Sequence, residues 1–238
     1  VPAIAVLDLN EFATRATTAF FGVLSIPVFF GLVLTLTKDK KLALIAAALL
    51  AISPWHIYYS RIASDHLLGS FFITIGILGL VKMFEGSLRW ALISAFFLVL
   101  SMYTYHSQRL FVPIFVLFFA IFYYKKLLVK KQSIGLFVII GGVLSLPLLF
   151  MSLFGTANVR MGMVFLSQDV LYTRYVMMDH FSKGTNLLNN ENLLLVFFWA
   201  KRYLNYFQPD FLFFTGLNMT LSSMGLGILY LFELPWLI

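Results

Sequence analysis

The chain has 238 residues, 61% of them hydrophobic and 11% charged, with a formal net charge of +7. A soluble domain is about half apolar and about a quarter charged, so a soluble enzyme or nucleic-acid-binding module is excluded and an all-α, polytopic membrane protein is expected. There is no cysteine, which excludes disulfides and thiol chemistry.

Val1 to Thr14 is a mixed segment with Asp8 and Glu11, a surface approach to the first membrane helix. Ala16 to Thr37 then runs without a charge, long enough to cross roughly 30 Å of hydrocarbon. Lys38-Asp39-Lys40-Lys41 closes it as a tight basic turn. Leu42 to about Ser60 returns, with Pro54 near its far end, and Ala63 to Val81 crosses again, ending at Lys82. After the short turn Glu85 to Arg89, Trp90 to Tyr105 crosses back and Leu110 to Tyr124 returns to a third basic turn. That turn holds Lys125, Lys126, Lys130 and Lys131, and Ser133 to Phe154 crosses outward. The expected architecture is a transmembrane bundle of about six complete spans and a truncated seventh from Gly225. The Val1-Pro2 opening shows no signal peptide. The chain is expected to be a piece of a longer protein, cut at both ends, and 1–238 to form one membrane domain.

The three short turns at 38–41, 82–89 and 125–131 fall on one side of this path, and short positive loops stay cytoplasmic. The opposite, non-cytoplasmic side then carries Arg15, Arg61, Asp65, Tyr103 to Arg109, and everything from Gly155 to about Ser223. That side also holds Arg160, Arg174, Lys183, Lys201 and Arg202, so anions are expected beside it. Lipid phosphates, a pyrophosphate-like ligand or protein carboxylates such as Asp169, Asp179, Glu191 and Asp210 all fit. The stretch 155–210 is too long for a passive connection. Ala157 to Val176 is an amphipathic mix, Thr185 to Asn192 a turn-rich polar patch, and Leu193 to Tyr206 a helix expected to lie on the membrane surface.

Three polar clusters stand out on the far side. In Ser53 to Gly69, Arg61 and Asp65 lie four apart; on one helix they would face the same cavity one turn apart. The plain alternative has Ser64 or Asp65 capping the next helix while Arg61 reaches the headgroups. The second cluster is Tyr103-Thr-Tyr-His-Ser-Gln-Arg109, which packs Tyr105, His106 and Arg109 into one turn. A plain aromatic belt rarely does this. The third is the aromatic loop Tyr206 to Gly216, either interfacial footing or a lid. Gly141-Gly142 reads as a packing contact inside a span. His56, His66, His106 and His180 form no metal-type pair at helical spacing, though a divalent ion stays compatible with the chemistry below. Asn218-Met-Thr220 matches a glycosylation sequon.

Together these stretches resemble the GT-C superfamily of polytopic glycosyltransferases, in the branch of the dolichyl-phosphate-mannose protein mannosyltransferases and bacterial aminoarabinose transferases. The resemblance lies in Leu9-Asn-Glu-Phe-Ala-Thr-Arg15 ahead of a membrane helix, Ser53-Pro54, Ser60-Arg-Ile-Ala-Ser-Asp65, Tyr103 to Pro113, and Phe207 to Gly216. It implies transfer of a sugar from a polyprenyl-phosphate donor to a hydroxyl of a protein, lipid or cell-wall glycan, with inversion. Arg61 and Asp65, and more loosely Tyr105, His106 and Arg109, would bind the donor phosphate and substrate. The family's aspartate base is expected upstream of residue 1, so the isolated piece should be inactive. After the aromatic loop the chain reads Gly216-Leu-Asn-Met-Thr-Leu-Ser-Ser223, without the Gly-Asp usual in bacterial members. The implied partners are membrane lipids, the donor and the acceptor, with no nucleic acid. The implied location is multi-pass in a prokaryotic plasma membrane, with the site on the non-cytoplasmic side. The alternative is a flippase for lipid-linked glycans or another transporter, which would place ionisable residues mid-span and show related halves.

Overall fold

The computed structural model describes Ala5 and residues 8–63, 65–85, 87–155, 191–215 and 227–230. Among these residues the regular structure is helical. In chain order the helices are α1 (Glu11–Thr37), α2 (Lys40–Ile52), α3 (Pro54–Arg61), α4 (Asp65–Met83), α5 (Leu88–Thr104), α6 (Gln108–Val129), α7 (Lys131–Phe154) and α8 (Glu191–Asn205), followed by a π-helical turn at Phe211–Thr215. The chain divides into two compact units, 1–148 and 149–238. The expected segments at 157–176 and 185–190, the sequon, 216–223 and most of the seventh span lie outside the described residues.

α1, α4, α6 and α7 are long and apolar enough to cross a membrane. α2 and α3 make a fifth candidate as a pair, but they bend by 55° at their junction. The return expected from Leu42 to Ser60, with Pro54 near its far end, is thus a bent pair of helices rather than one continuous helix. Pro54 opens α3, lacks the N–H that would continue α2, and forces Ser53 into extended backbone with ψ near 132°. α5 has 17 residues, about 25 Å of helix. α6 begins two residues earlier and ends later than the apolar run suggests, with a local break at Tyr123.

Local chemistry fixes the helix ends. Asn10 caps α1 by accepting from the Ala13 N–H at 2.7 Å. Lys38 takes a left-handed conformation (φ 58°) and Asp39 caps α2 by accepting from the Lys41 and Leu42 N–H groups. That pair of devices makes the first basic turn tight.

In the first unit α1 packs on α2, α3 and α4, while α4 packs on α5. Small residues set the α4–α5 approach. A Cβ on Gly79 would stand 3.0 Å from the Ser94 backbone, and Ser94 Oγ donates to the Gly76 carbonyl at 2.8 Å. Leu80, Met83, Ala91, Leu98, Met102, Val112 and Leu148 form the core shared by α4 to α7. The expected packing role of Gly141-Gly142 holds only weakly. Ala95 is 4.0 Å from a Cβ built on Gly141, and nothing lies within 4 Å of one on Gly142. In the second unit α8 exposes Val196, Trp199, Tyr203 and Leu204, with Trp199 and Tyr203 stacked at 5.4 Å. Phe213 of the π-helical turn is buried.

Candidate active site

The first unit has two chemically different ends. At one, Lys38 Nζ bonds Glu85 at 3.0 Å, Lys82 sits 4.5 Å over the Trp90 ring, and Lys126 lies 5.8 Å from the Phe84 ring. These contacts join the turns at 38–41, 82–89 and 125–131, so the three basic turns do share one end.

At the other end, Gly22 of α1 meets Ser60 of α3 and Leu67 of α4. Sixteen residues separate Gly22 from Lys38, about 24 Å along the helix. The Ser60 level thus lies close to one hydrocarbon thickness from the lysines. Arg61 follows Ser60, and Arg15 lies roughly 10 Å further out along α1. There Arg15 pairs with Glu11 at 2.8 Å on an exposed surface.

Arg61 and Asp65 do not share a helix. Arg61 is the last residue of α3, Ile62 is extended (φ −99°, ψ 150°), and Asp65 lies in the first turn of α4. The one-turn spacing expected between them is corrected, because the break between helices abolishes the i, i+4 geometry. Among the described residues they form no ion pair with each other, and both are exposed. Arg61 stands at a helix C-terminus and Asp65 at a helix N-terminus, each where its charge complements the helix dipole. Ser64, the other candidate cap, lies outside the described residues.

The turn Tyr105–Ser107 between α5 and α6 meets this corner. The His66 and Tyr105 rings are 4.1 Å apart, and those of Tyr105 and His106 are 4.3 Å apart. Arg109 Nε donates to the Met102 carbonyl at 3.3 Å, tying the start of α6 to the last turn of α5. Tyr103 instead turns away and donates its hydroxyl to the Leu144 carbonyl at 2.9 Å. Gln108 and Thr104 close over Gly69, where a Cβ would stand 3.3 and 3.2 Å from their polar atoms. Arg61, Asp65, Tyr105, His106 and Arg109 thus come from α3, α4 and the α5–α6 corner to one end of the bundle.

Within the two clusters read from the sequence, the structure adds three side chains at this end to the five singled out: Tyr59, His66 and Gln108. Just below it, buried His56 shares a 2.7 Å hydrogen bond with Ser25 of α1, and Ser25 Oγ donates to the Gly22 carbonyl. A buried imidazole in a span is expensive unless bonded, and this bond holds α3 against α1. Among the described residues no three His, Asp or Glu side chains gather in a way that would hold a metal ion. The aromatic turn at 206–215 belongs to the second unit, where Tyr206 packs edge-on against Phe211 at 5.1 Å.

The sequence model of a family described as dolichyl-phosphate-mannose-protein mannosyltransferase matches residues 4–160. No curated protein and no solved structure matches the chain.

Proposed function

This chain belongs to the dolichyl-phosphate-mannose-protein mannosyltransferase family, and on that premise we propose that it moves a sugar from a polyprenyl phosphate to an acceptor hydroxyl at the non-cytoplasmic face. The family makes it a membrane glycosyltransferase with a polyprenyl-phosphate sugar as donor. The acceptor class and the membrane side belong to this reading.

One observation carries the site. Arg61, Asp65, Tyr105, His106 and Arg109 come from separate elements to one end, roughly a hydrocarbon thickness from the lysine turns. Short lysine-rich turns favour the cytoplasm, which supports an outside location for the Arg61 end.

In the reaction the bond between the anomeric carbon and the phosphate oxygen breaks. The acceptor oxygen bonds to that carbon from the opposite side, and its proton passes to a base. The lipid phosphate departs with both electrons of the broken bond. A fixed cation beside it stabilises the charge that develops there. Arg61, exposed at the end of α3, fills that role. Asp65 lies across the break, where it orients Arg61 or receives the acceptor. Tyr105 and His106 flank the substrate, and Arg109 holds their turn to α5 while adding positive potential. The proton-accepting carboxylate is assigned to none of these five.

The test uses the full-length protein in nanodiscs with radiolabelled polyprenyl-phosphate sugars. Transfer or release of label by the wild type, reduced at least a hundredfold in Arg61→Ala, is the expected result. Tight binding of intact donors with no cleavage would favour a lipid-linked glycan flippase. Turnover indifferent to Arg61→Ala would remove the site from this corner.

A further inference from the structure

A row of five rings runs across the substrate end. Tyr58 and Tyr59 are 5.3 Å apart, Tyr59 and His66 5.5 Å, His66 and Tyr105 4.1 Å, and Tyr105 and His106 4.3 Å. The row crosses α3, α4 and the α5–α6 corner. It is not core: His66 is exposed and the other four are half-buried. Its residues belong to the same elements as the charged pair: Tyr59 precedes Arg61 by two positions in α3, and His66 follows Asp65 in α4.

Fastening α6 at this corner does not require the rings. Arg109 already ties α6 to α5, and Gln108 and Thr104 already pack over Gly69. A lipid phosphate gains little from a row of rings, because cations and N–H donors satisfy it. A hexose is different. Its C–H faces are apolar and its rim carries hydroxyls, which is the division that a phenol or imidazole ring presents, with an apolar body and a polar tip. Sites for small polar molecules are built this way, with mostly aromatic lining and a few placed polar groups.

We infer that the row Tyr59–His66–Tyr105–His106 is the sugar-recognition shelf of the donor site, with Tyr59 and His66 as its specificity-determining residues. This rests on the glycosyl-transfer reading above. It divides the site into a phosphate part centred on Arg61 and a sugar part built from rings of three elements.

The experiment measures affinities of the full-length protein in nanodiscs for two lipids, polyprenyl phosphate and polyprenyl-phosphate-mannose, in wild type, Tyr59→Leu, His66→Leu and Tyr59→Phe. The wild type should prefer the sugar-bearing lipid. Each leucine variant should cut that preference about 3- to 10-fold, the scale of one lost aromatic contact, with affinity for the bare phosphate lipid within about twofold of wild type. Tyr59→Phe keeps the ring and should keep most of the preference, so the shelf is testable even where a leucine variant misfolds. Equal weakening toward both lipids would make the row a structural fastener and overturn the inference. So would an unchanged preference, or loss in Tyr59→Phe as large as in Tyr59→Leu. Failure of the wild type to bind either lipid would instead overturn the transferase reading itself.

Discussion

Gly22→Ala should disturb the proposed donor-site corner without touching any residue assigned to it. A Cβ on Gly22 would stand 2.8 Å from Ser60 Cβ and overlap its hydroxyl, where ordinary contact begins at 3.4 Å. Leu67 Cδ2, at 3.4 Å, tolerates the new methyl. Ser60 does not, because its Cβ is fixed to the α3 backbone and its Oγ donates to the His56 carbonyl at 2.7 Å. α3 must therefore retreat from α1 by roughly 0.5 Å, and overpacking of this kind costs about 1–3 kcal/mol. Better helix propensity offsets about 0.5–1 kcal/mol of that. Arg61 is the next residue and moves with α3. A misplacement of about 1 Å costs up to a hundredfold in rate, so roughly a tenfold loss of kcat is expected here. The decisive comparison adds Ser60→Gly, which removes the colliding atoms from the other side. Thermal unfolding by circular dichroism and label transfer are measured for both single variants and the double. The double variant should recover about 1–2 kcal/mol relative to additivity, with turnover rising alongside. Strict additivity, or a Gly22→Ala protein as stable and active as wild type, would refute the α1–α3 contact on which the corner depends.

Two further predictions concern the scaffold. Gly79→Ala should destabilise by about 1–3 kcal/mol, because the new methyl meets Ser94 backbone at 3.0 Å, while Gly142→Ala, with nothing within 4 Å, should be neutral or slightly stabilising; equal melting temperatures for the two would contradict the close α4–α5 approach. Lys38→Ala removes an ion pair whose side chains are 71% and 55% exposed, so the melting temperature should fall by no more than the equivalent of about 1 kcal/mol; a larger loss would mean that the pair is shielded from water.

Much of the plan is legible in one dimension. A backbone in hydrocarbon must satisfy its own hydrogen bonds, so a long charge-free run is a helix whatever surrounds it. Lysines cannot stay in the span, so they mark its ends. From these facts alone follow the all-helical fold, the runs at 16–37, 63–81 and 133–154, and the shared end of the three lysine turns. The motifs at 9–15, 60–65 and 103–113 were likewise enough to point to the family that the match over 4–160 establishes.

The site needed the third dimension. Hydropathy reads straight through Ser53, yet Pro54 bends the chain there by 55°. Spacing puts Arg61 and Asp65 one turn apart, yet a break at Ile62 assigns them to two helices. His56 finds Ser25 thirty-one residues away, and His66 finds Tyr105 across another helix. The reason is rotational. A soluble helix announces its buried face by a stripe of apolar residues, but a span that is apolar all round carries no such stripe. Its rotation about its own axis is set by small residues such as Gly22, Gly76 and Gly79 meeting particular neighbours. Sequence therefore determined which elements form and at which end each polar residue lies, and tertiary packing alone decided which of those residues face one another.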